Sequence, residues 1–201
     1  MKNFPKAGLL IVTLVIPALI FVLLKLFATN HYVLPYFLPE RDTAGEIRMQ
    51  NGDTLFHTVS GDCAAFDSAR FAGSTTIIHF LPAECDDSCK LGISEVERIA
   101  GLRNDIPNLQ ILSVTGTSDK PAGLLPTDIG IWKLVRGTLQ ETGGCYMNEL
   151  GMNPDTAGRY PGLVLIDDAS HVRGYYKSGN REETDRLMAE IKILDYEKRN
   201  K

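Results

Sequence analysis

The chain has 201 residues, with 21 Lys and Arg against 25 Asp and Glu, and a formal net charge of −4. Three of the basic residues and none of the acidic ones fall among the first 28, so the remainder is distinctly acidic. An acidic chain lacks the basic patch that nucleic-acid binding requires. The remainder, about 170 residues, suffices for one domain with a proper core but not comfortably for two.

The N-terminal residues predict a transmembrane anchor at 1–28. Between Lys6 and Lys25 the chain is uncharged and mostly apolar, and a bilayer core takes roughly 20 such residues. A cleaved signal peptide is the alternative, but the run is long for one and has no clear small-residue cleavage site. Lys2 and Lys6 favour a cytoplasmic N-terminus. We therefore expect a single-pass protein of the cell inner membrane whose C-terminal part faces an extracytoplasmic space, where disulfides persist.

Residues 29–52 predict an extended tether, because they mix aromatic residues with two prolines and show no clear period. Residues 53–197 predict one α/β domain in which strands alternate with helices, giving a mixed sheet. The predicted strands are Leu55–Val59, Thr75–Leu81, Leu109–Val114, Ile131–Val135 and the hairpin of Leu163–Ile166 with Val172–Tyr176. The predicted helices are Asp86–Leu102, a weaker one at Thr138–Leu150, and Asn180–Tyr196 with Asn180 as its cap.

Two cysteines, Cys85 and Cys89, follow the buried strand Thr75–Leu81 where a helical pattern begins. This placement predicts Cys85 at the mouth of the helix and Cys89 one turn inside it. The two sulfurs can then lie on one face, close enough for a disulfide or for a shared soft metal ion. The arrangement indicates a thiol site on a thioredoxin-like fold.

The chemistry of this pair is left open by its neighbours. A helix N-terminus favours a thiolate, which is the reactive form of cysteine. The acidic residues Glu84, Asp86 and Asp87 oppose the thiolate and favour the oxidised pair. A purely structural disulfide is the alternative reading for an exported domain, whereas sheets of α/β proteins often carry their functional sites where a strand leads into a helix.

The order of elements and several segments resemble the Sco/SenC family of membrane-anchored, thioredoxin-fold copper chaperones. The resemblance rests on the spacing of Cys85 and Cys89, on Asn30-His31-Tyr32 with Leu34-Pro35, and on Leu163–Asp167 running on to Arg173-Gly174-Tyr175-Tyr176. It implies a role in assembling the copper centre of cytochrome c oxidase, through copper delivery or thiol reduction. Cys85 and Cys89 match the family's two sulfur ligands for Cu(I).

The chain departs from the family pattern at three places. The segment Gly158-Arg159-Tyr160-Pro161-Gly162 has no counterpart of the family's copper-ligand histidine, and Asp86 replaces the proline that follows the first cysteine. The family's acidic segment after the middle strand is reduced to a loop rich in Gly and Pro at 115–130. The resemblance is therefore to a divergent member.

Pro161 opens the strand that begins at Leu163, a position that resembles the cis-proline facing the redox cysteines of thioredoxins. We predict a cis Tyr160–Pro161 bond that packs near Cys85. A trans proline starting an edge strand is the alternative, since only about 5–6% of X–Pro bonds in folded proteins are cis.

Other side chains with metal-binding chemistry are assigned to packing or to ordinary hydrogen bonds. His57 and His79 are candidates for a substitute copper ligand but fit better as hydrogen-bonded strand residues, and His171 fits a solvated turn. Cys145, Met147 and Met152 fit core packing. Cys63 and Cys145 make the cysteine count even, and four cysteines allow three pairings.

The leading hypothesis is a thiol–disulfide oxidoreductase, with Cys85, Cys89 and Pro161 as the catalytic residues and a protein client that carries thiols or a copper centre, such as a subunit of cytochrome c oxidase. In this mechanism Cys85 attacks and Cys89 resolves the mixed disulfide. Two alternatives remain: Cu(I) carriage by Cys85 and Cys89 with a non-standard third ligand, and a non-catalytic binding module whose disulfide is structural.

Overall fold

A computed structural model describes residues 4–27, 33–60, 71–82, 85–115, 130–136, 146–152 and 162–199, and in the first helix it describes the exposure of Gly8 and residues 12–23 only. The chain divides into two compact units, Met1–Val33 and Leu34–Lys201. The first unit contains helix α1, Phe4–Phe27, with Pro17 inside it. Among the residues so described, no helix is both long enough and apolar enough to span a bilayer. The transmembrane anchor stays a prediction.

The second unit is built on a five-stranded mixed sheet. A small hairpin of β1 (Met49–Gln50) and β2 (Asp53–Thr54) precedes this sheet. The elements that follow are, in chain order, β3 (Thr75–Leu81), α2 (Asp87–Ala100), β4 (Leu109–Thr115), β5 (Trp132–Arg136), β6 (Leu163–Ile166), β7 (Val172–Tyr176) and α3 (Arg181–Arg199). The strand order across the sheet is β5-β4-β3-β6-β7. β4 is parallel to both β3 and β5, whereas β6 is antiparallel to β3 and to β7. The prediction of a thioredoxin-like α/β fold is confirmed.

Successive side chains of each strand point to opposite faces of the sheet, and both faces are covered. Ile77 of β3 points to the face covered by α2 and α3, where Val96, Ile99, Leu187 and Ile191 complete an apolar cluster. Its neighbour Ile78 points to the opposite face, against a cluster that includes Phe71, Leu150 and Met152. His79 is in phase with Ile77 and therefore lies on the α2 face, although it is polar.

The predicted elements of the sheet agree with the structure to within one or two residues, and the hairpin and the last helix are also present. Asn180 caps α3, because its side-chain oxygen accepts hydrogen bonds from the backbone N–H groups of Glu182 and Glu183. Of the weak helix predicted at Thr138–Leu150, residues 146–150 are helical and 137–145 lie outside the described residues.

The segment that precedes the sheet differs from the sequence-based expectation. From Leu34 onward the predicted tether belongs to the same unit as the sheet. The predicted strand Leu55–Val59 is wrong as a continuous strand, since Phe56 and Thr58 form only isolated bridges. The backbone N–H of Phe37 donates to the carbonyl of Val172, at 3.0 Å. The segment thus covers the exposed edge of β7, which would otherwise offer unpaired backbone groups.

Arg173 in β7 fastens this segment to the sheet. Its guanidinium is 1% exposed and lies 2.8 Å from the Asp167 carboxylate. It also donates to the backbone carbonyls of Leu34 and Pro35, at 2.6 and 3.1 Å, and it lies 3.9 Å above the centre of the Tyr36 ring. A buried guanidinium requires partners for its charge and its N–H groups, and the start of the folded unit supplies several of them.

Candidate functional site

The candidate site lies where β3 leads into α2. The helix begins at Asp87 with Asp86 as its N-cap, and the backbone of Asp86 is extended, as an N-cap requires. The Asp86 carboxylate accepts a hydrogen bond of 2.9 Å from the backbone N–H of Cys89. Cys85 therefore lies just before the helix, and Cys89 lies within its first turn.

Cys85 and Cys89 are joined by a disulfide, with an S–S distance of 1.95 Å and 5.1 Å between their Cα atoms. The two residues differ in exposure. Cys89 is 8% exposed and belongs to the apolar cluster beneath α2, whereas Cys85 is partly exposed and packs against the edge of that cluster. The outer sulfur is therefore that of Cys85, the geometry in which an incoming thiolate reaches Cys85 first.

The charges around the start of α2 are mostly negative. Asp86 and Asp87 are both exposed. Lys90 is one turn on, and its ammonium lies 2.9 Å from the Asp87 carboxylate. The positive charge of Lys90 is therefore already paired. Glu84 lies outside the described residues.

Beneath α2, His79 lies at the centre of a buried polar network. Its Nδ1 lies 3.2 Å from the hydroxyl of Ser113, and its Nε2 lies 3.3 Å from the hydroxyl of Ser178. The indole N–H of Trp132 donates to the same Ser113 oxygen at 2.8 Å. His79 is 2% exposed, and burial lowers its pKa to about 4. The ring is therefore neutral at physiological pH, with one nitrogen as donor and the other as acceptor.

Ser178 links this network to the cysteine-bearing helix. It lies in the turn between β7 and α3, in a notch formed by two glycines. A Cβ atom on Gly92 of α2 would lie 2.2 Å from the Ser178 hydroxyl, and one on Gly162 would lie 2.2 Å from the Ser178 Cβ. Both positions therefore require glycine for the observed packing. The notch fixes α2 relative to the start of β6.

Tyr160 and Pro161 lie outside the described residues, so the predicted cis bond and its contact with Cys85 stay predictions. Gly162, the next residue along the chain, accepts a hydrogen bond of 3.0 Å at its carbonyl from the backbone N–H of Phe80. Phe80 is close to the end of β3 that leads to the cysteines. The chain thus enters β6 beside the cysteine-bearing end of β3.

The other soft or nitrogen ligands named in the sequence are not gathered at the cysteines. His171 is in the β6–β7 turn at the opposite end of the sheet, and His57 lies 3.5 Å from Glu149. Met152 is buried in the core of the other face and Met147 is exposed. Cys63 and Cys145 fall outside the described residues. Within the part of the chain that the structure describes, no three His, Cys, Asp or Glu residues form a group that could hold a metal ion.

The fit of Cu(I) to the site therefore depends on the two sulfurs alone among the described residues. Reduction of the disulfide would supply two neighbouring thiolates, which are ligands that Cu(I) prefers. His79 does not serve as their third ligand in this arrangement, because both ring nitrogens are engaged by Ser113 and Ser178.

Sequence reasoning missed Ser113, Ser178 and Gly92. A histidine inside an apolar strand indicates that hydrogen-bond partners must exist, but the residue pattern of the strand does not indicate which serines supply them. The capping role of Asp86 also went unrecognised, although an Asp directly before a helical pattern is a typical N-cap.

Comparison with known proteins shows a likeness in fold. The structure of a SCO1/SenC family lipoprotein from Bacillus anthracis matches 83% of this chain and 96% of its own, with a TM-score of 0.50 and 16% identity. BsSco, described as a member of the Sco family of cytochrome c oxidase assembly proteins with a disulfide switch, matches over 81% of this chain and 96% of its own, with a TM-score of 0.52 and 14% identity. No family model matches the chain. No curated protein matches it either. The resemblance predicted from the sequence is therefore confirmed as a likeness in fold.

Proposed function

We propose that this chain is a divergent Sco-type protein that carries out thiol–disulfide exchange during the assembly of the copper centre of cytochrome c oxidase. One observation carries the proposal: a partly exposed Cys85 is bonded to a buried Cys89 at the start of a helix. A disulfide with one reachable sulfur can exchange, whereas a purely structural one is usually shielded on both sides. The shared fold with BsSco supports the assignment to oxidase assembly.

The proposed reaction starts from the reduced pair. The thiolate of Cys85 attacks one sulfur of a client disulfide, and the other client sulfur leaves as a thiolate and takes a proton. Cys89 then loses its proton to solvent and attacks the sulfur of Cys85. The remaining client sulfur leaves and is protonated, so the client gains two electrons and two protons while Cys85 and Cys89 become a disulfide.

Pro161 completes the proposed catalytic set. The position of Gly162 beside the end of β3 supports a place for this proline near Cys85. In that place Pro161 would offer the client backbone a surface next to the attacking sulfur. A Pro161→Ala variant with unchanged exchange rate and unchanged client trapping would remove Pro161 from the set.

The experiment that tests the exchange function is trapping with Cys89→Ser. Without the resolving thiol, the first mixed disulfide cannot be released, so the client should remain attached to Cys85 and appear on non-reducing gels of membranes that contain the full chain. Cys85→Ser is the matched control and should trap nothing. A Cys89→Ser variant that captures no protein, in cells whose oxidase matures normally, would contradict the proposal.

The second candidate function is Cu(I) carriage, favoured by the adjacency of the two sulfurs. Anaerobic titration of the reduced protein against a Cu(I) chelator separates it from exchange. Tight binding of one ion, lost in Cys85→Ala, would support carriage. A protein that does not compete with the chelator would leave exchange as the function.

We further propose that residues 1–28 anchor the protein in the inner membrane with the sheet domain outside the cytoplasm. The uncharged run between Lys6 and Lys25 supports this location, and an oxidising compartment is where the disulfide would persist. Extraction of membranes at alkaline pH should leave the full chain in the pellet. Release into the supernatant would contradict the anchor.

A further inference from the structure

We propose that Asp86 holds the Cys85–Cys89 pair toward its disulfide form, so that the reduced pair is a strong electron donor to client disulfides. This inference rests on the proposed exchange function. It assigns a specific chemical effect to the one residue that separates the outer cysteine from the helix.

The position of the Asp86 carboxylate carries the inference. An N-terminal helix turn stabilises a neighbouring thiolate through its unpaired N–H groups and its partial positive charge. Here the carboxylate of Asp86 already accepts the hydrogen bond of the Cys89 N–H, at 2.9 Å. A fixed negative charge therefore occupies the region where the Cys85 thiolate would otherwise be stabilised.

The remaining described charges do not reverse this effect. Lys90 is paired with Asp87, so the first turn keeps an excess of negative charge. Cys89 lies in an apolar cluster, which offers no stabilisation for its own thiolate. At a pH where the Cys85 thiol ionises, the reduced form is thus penalised relative to the neutral disulfide.

The consequence is a direction of electron flow. A pair whose dithiol form is disfavoured gives up two electrons readily, so exchange runs from reduced Cys85 and Cys89 to a client disulfide. The products are a client dithiol and the Cys85–Cys89 disulfide, with two protons taken up by the client. A second protein dithiol must then reduce Cys85 and Cys89 for another turnover, and it is itself oxidised to a disulfide.

The test uses Asp86→Asn in the full chain. Asparagine is as good an N-cap as aspartate, so the variant removes the charge and keeps the cap. At a pH where the Cys85 thiol is ionised, we expect the equilibrium with a glutathione redox buffer to shift about fivefold toward the reduced form, the size typical of one charge at a helix terminus, which is about 20 mV for a two-electron couple. The midpoint of the rate of Cys85 alkylation by iodoacetamide should also move to lower pH.

Asp87→Asn is the matched control, because its carboxylate is in the same turn but is paired with the Lys90 ammonium at 2.9 Å, whereas that of Asp86 is held at the Cys89 N–H. We expect it to change the equilibrium by less than about twofold, since a solvated charge that is not held at the N–H groups of the turn is screened by water and salt. Thermal unfolding of the oxidised variants should show the same midpoint for both, which separates the redox effect from a loss of folding.

Three results would overturn the inference. Asp86→Asn could leave the glutathione equilibrium and the alkylation profile unchanged, or Asp87→Asn could shift them as much as Asp86→Asn does. The wild-type Cys85–Cys89 disulfide could also be reduced as readily as glutathione disulfide. Trapping by Cys89→Ser distinguishes this failure from that of the proposed function. A trapped client with no effect of Asp86→Asn leaves the exchange function intact. An effect of Asp86→Asn without a trapped client supports only the influence of Asp86 on the redox equilibrium.

Discussion

Two buried polar side chains, Arg173 and His79, solve the same problem in opposite ways. Both are almost completely buried in the sheet domain, at 1% and 2% exposure. Arg173 keeps its charge among the carboxylate of Asp167 and the backbone carbonyls of the N-terminal segment. His79 is held between two hydroxyl groups, Ser113 and Ser178, and burial lowers its pKa to about 4.

The difference means that Arg173 holds a chain segment in place, whereas His79 supports the packing of the helix that carries Cys89. Arg173 requires ionic partners, so it fixes one segment at the β7 edge, away from the cysteines. His79 stays neutral and links β3 and β4 to the turn that packs on α2. A neutral network is sensitive to pH, whereas a paired guanidinium is not, because arginine does not lose its proton in proteins.

Arg173→Met should produce the largest effect. It leaves Asp167 as a buried carboxylate without its main partner, and breaking a buried ion pair in this way costs about 3–5 kcal/mol. Urea unfolding of the variant and the wild type measures the decrease in the free energy of unfolding.

Lys90→Met is the control for Arg173→Met, because Lys90 is paired with Asp87 on the surface, where their side chains are 57% and 98% exposed. Exposed pairs contribute at most about 1 kcal/mol. Equal losses in the two variants would show that Arg173 fastens nothing.

His79 should make stability depend on pH between about 6.5 and 4. In this interval the unfolded chain binds a proton at His79 and the folded chain does not. The resulting loss of folding free energy is therefore absent above pH 6.5 and grows as the pH falls. The total loss is roughly 3 kcal/mol, reached near pH 4, where folded His79 also protonates. The measurement is the free energy of unfolding against pH, compared with His79→Gln.

The His79→Gln variant should show a shallower slope over that interval, because glutamine does not titrate. Parallel curves for the two proteins would contradict the assignment. An NMR titration of the folded wild type in which the His79 ring protonates near 6.5 would contradict it independently.

The sequence predicts the elements of this comparison better than the contacts between them. The apolar runs of β3 and β4 and the cap at Asn180 are local patterns, and each is found where it is expected. The pairing of His79 with Ser178 joins residues 99 positions apart, and no local period encodes such a contact. Backbone hydrogen bonds such as that from Phe37 to β7 carry no side-chain signature at all.

The smallest predicted effect sharpens the role of Ser178. Gly92→Ala should destabilise the wild type by about 1 kcal/mol, because overpacking against the Ser178 hydroxyl outweighs the gain in helix propensity. In a Ser178→Ala background the hydroxyl is gone, and the same change should stabilise the protein by up to about 1 kcal/mol. Chemical unfolding of the four proteins in this cycle gives both numbers.

Gly162→Ala provides the contrast for that cycle. Its Cβ would meet the backbone nitrogen of Ser178 at 2.4 Å as well as the Ser178 Cβ. Removing the hydroxyl should therefore not rescue Gly162→Ala. If Ser178→Ala rescues Gly162→Ala, or fails to rescue Gly92→Ala, then Ser178 does not lie in the notch as described.

The most direct test of the account is the order in which the two site cysteines react in the reduced, folded protein. Brief treatment with iodoacetamide, followed by mass spectrometry of the peptides that carry each cysteine, measures the two rates separately. We predict that Cys85 is modified at least about tenfold faster than Cys89, because the partly exposed thiol can react and the buried one cannot. Equal rates, or no modification of Cys85 until the protein unfolds, would contradict it.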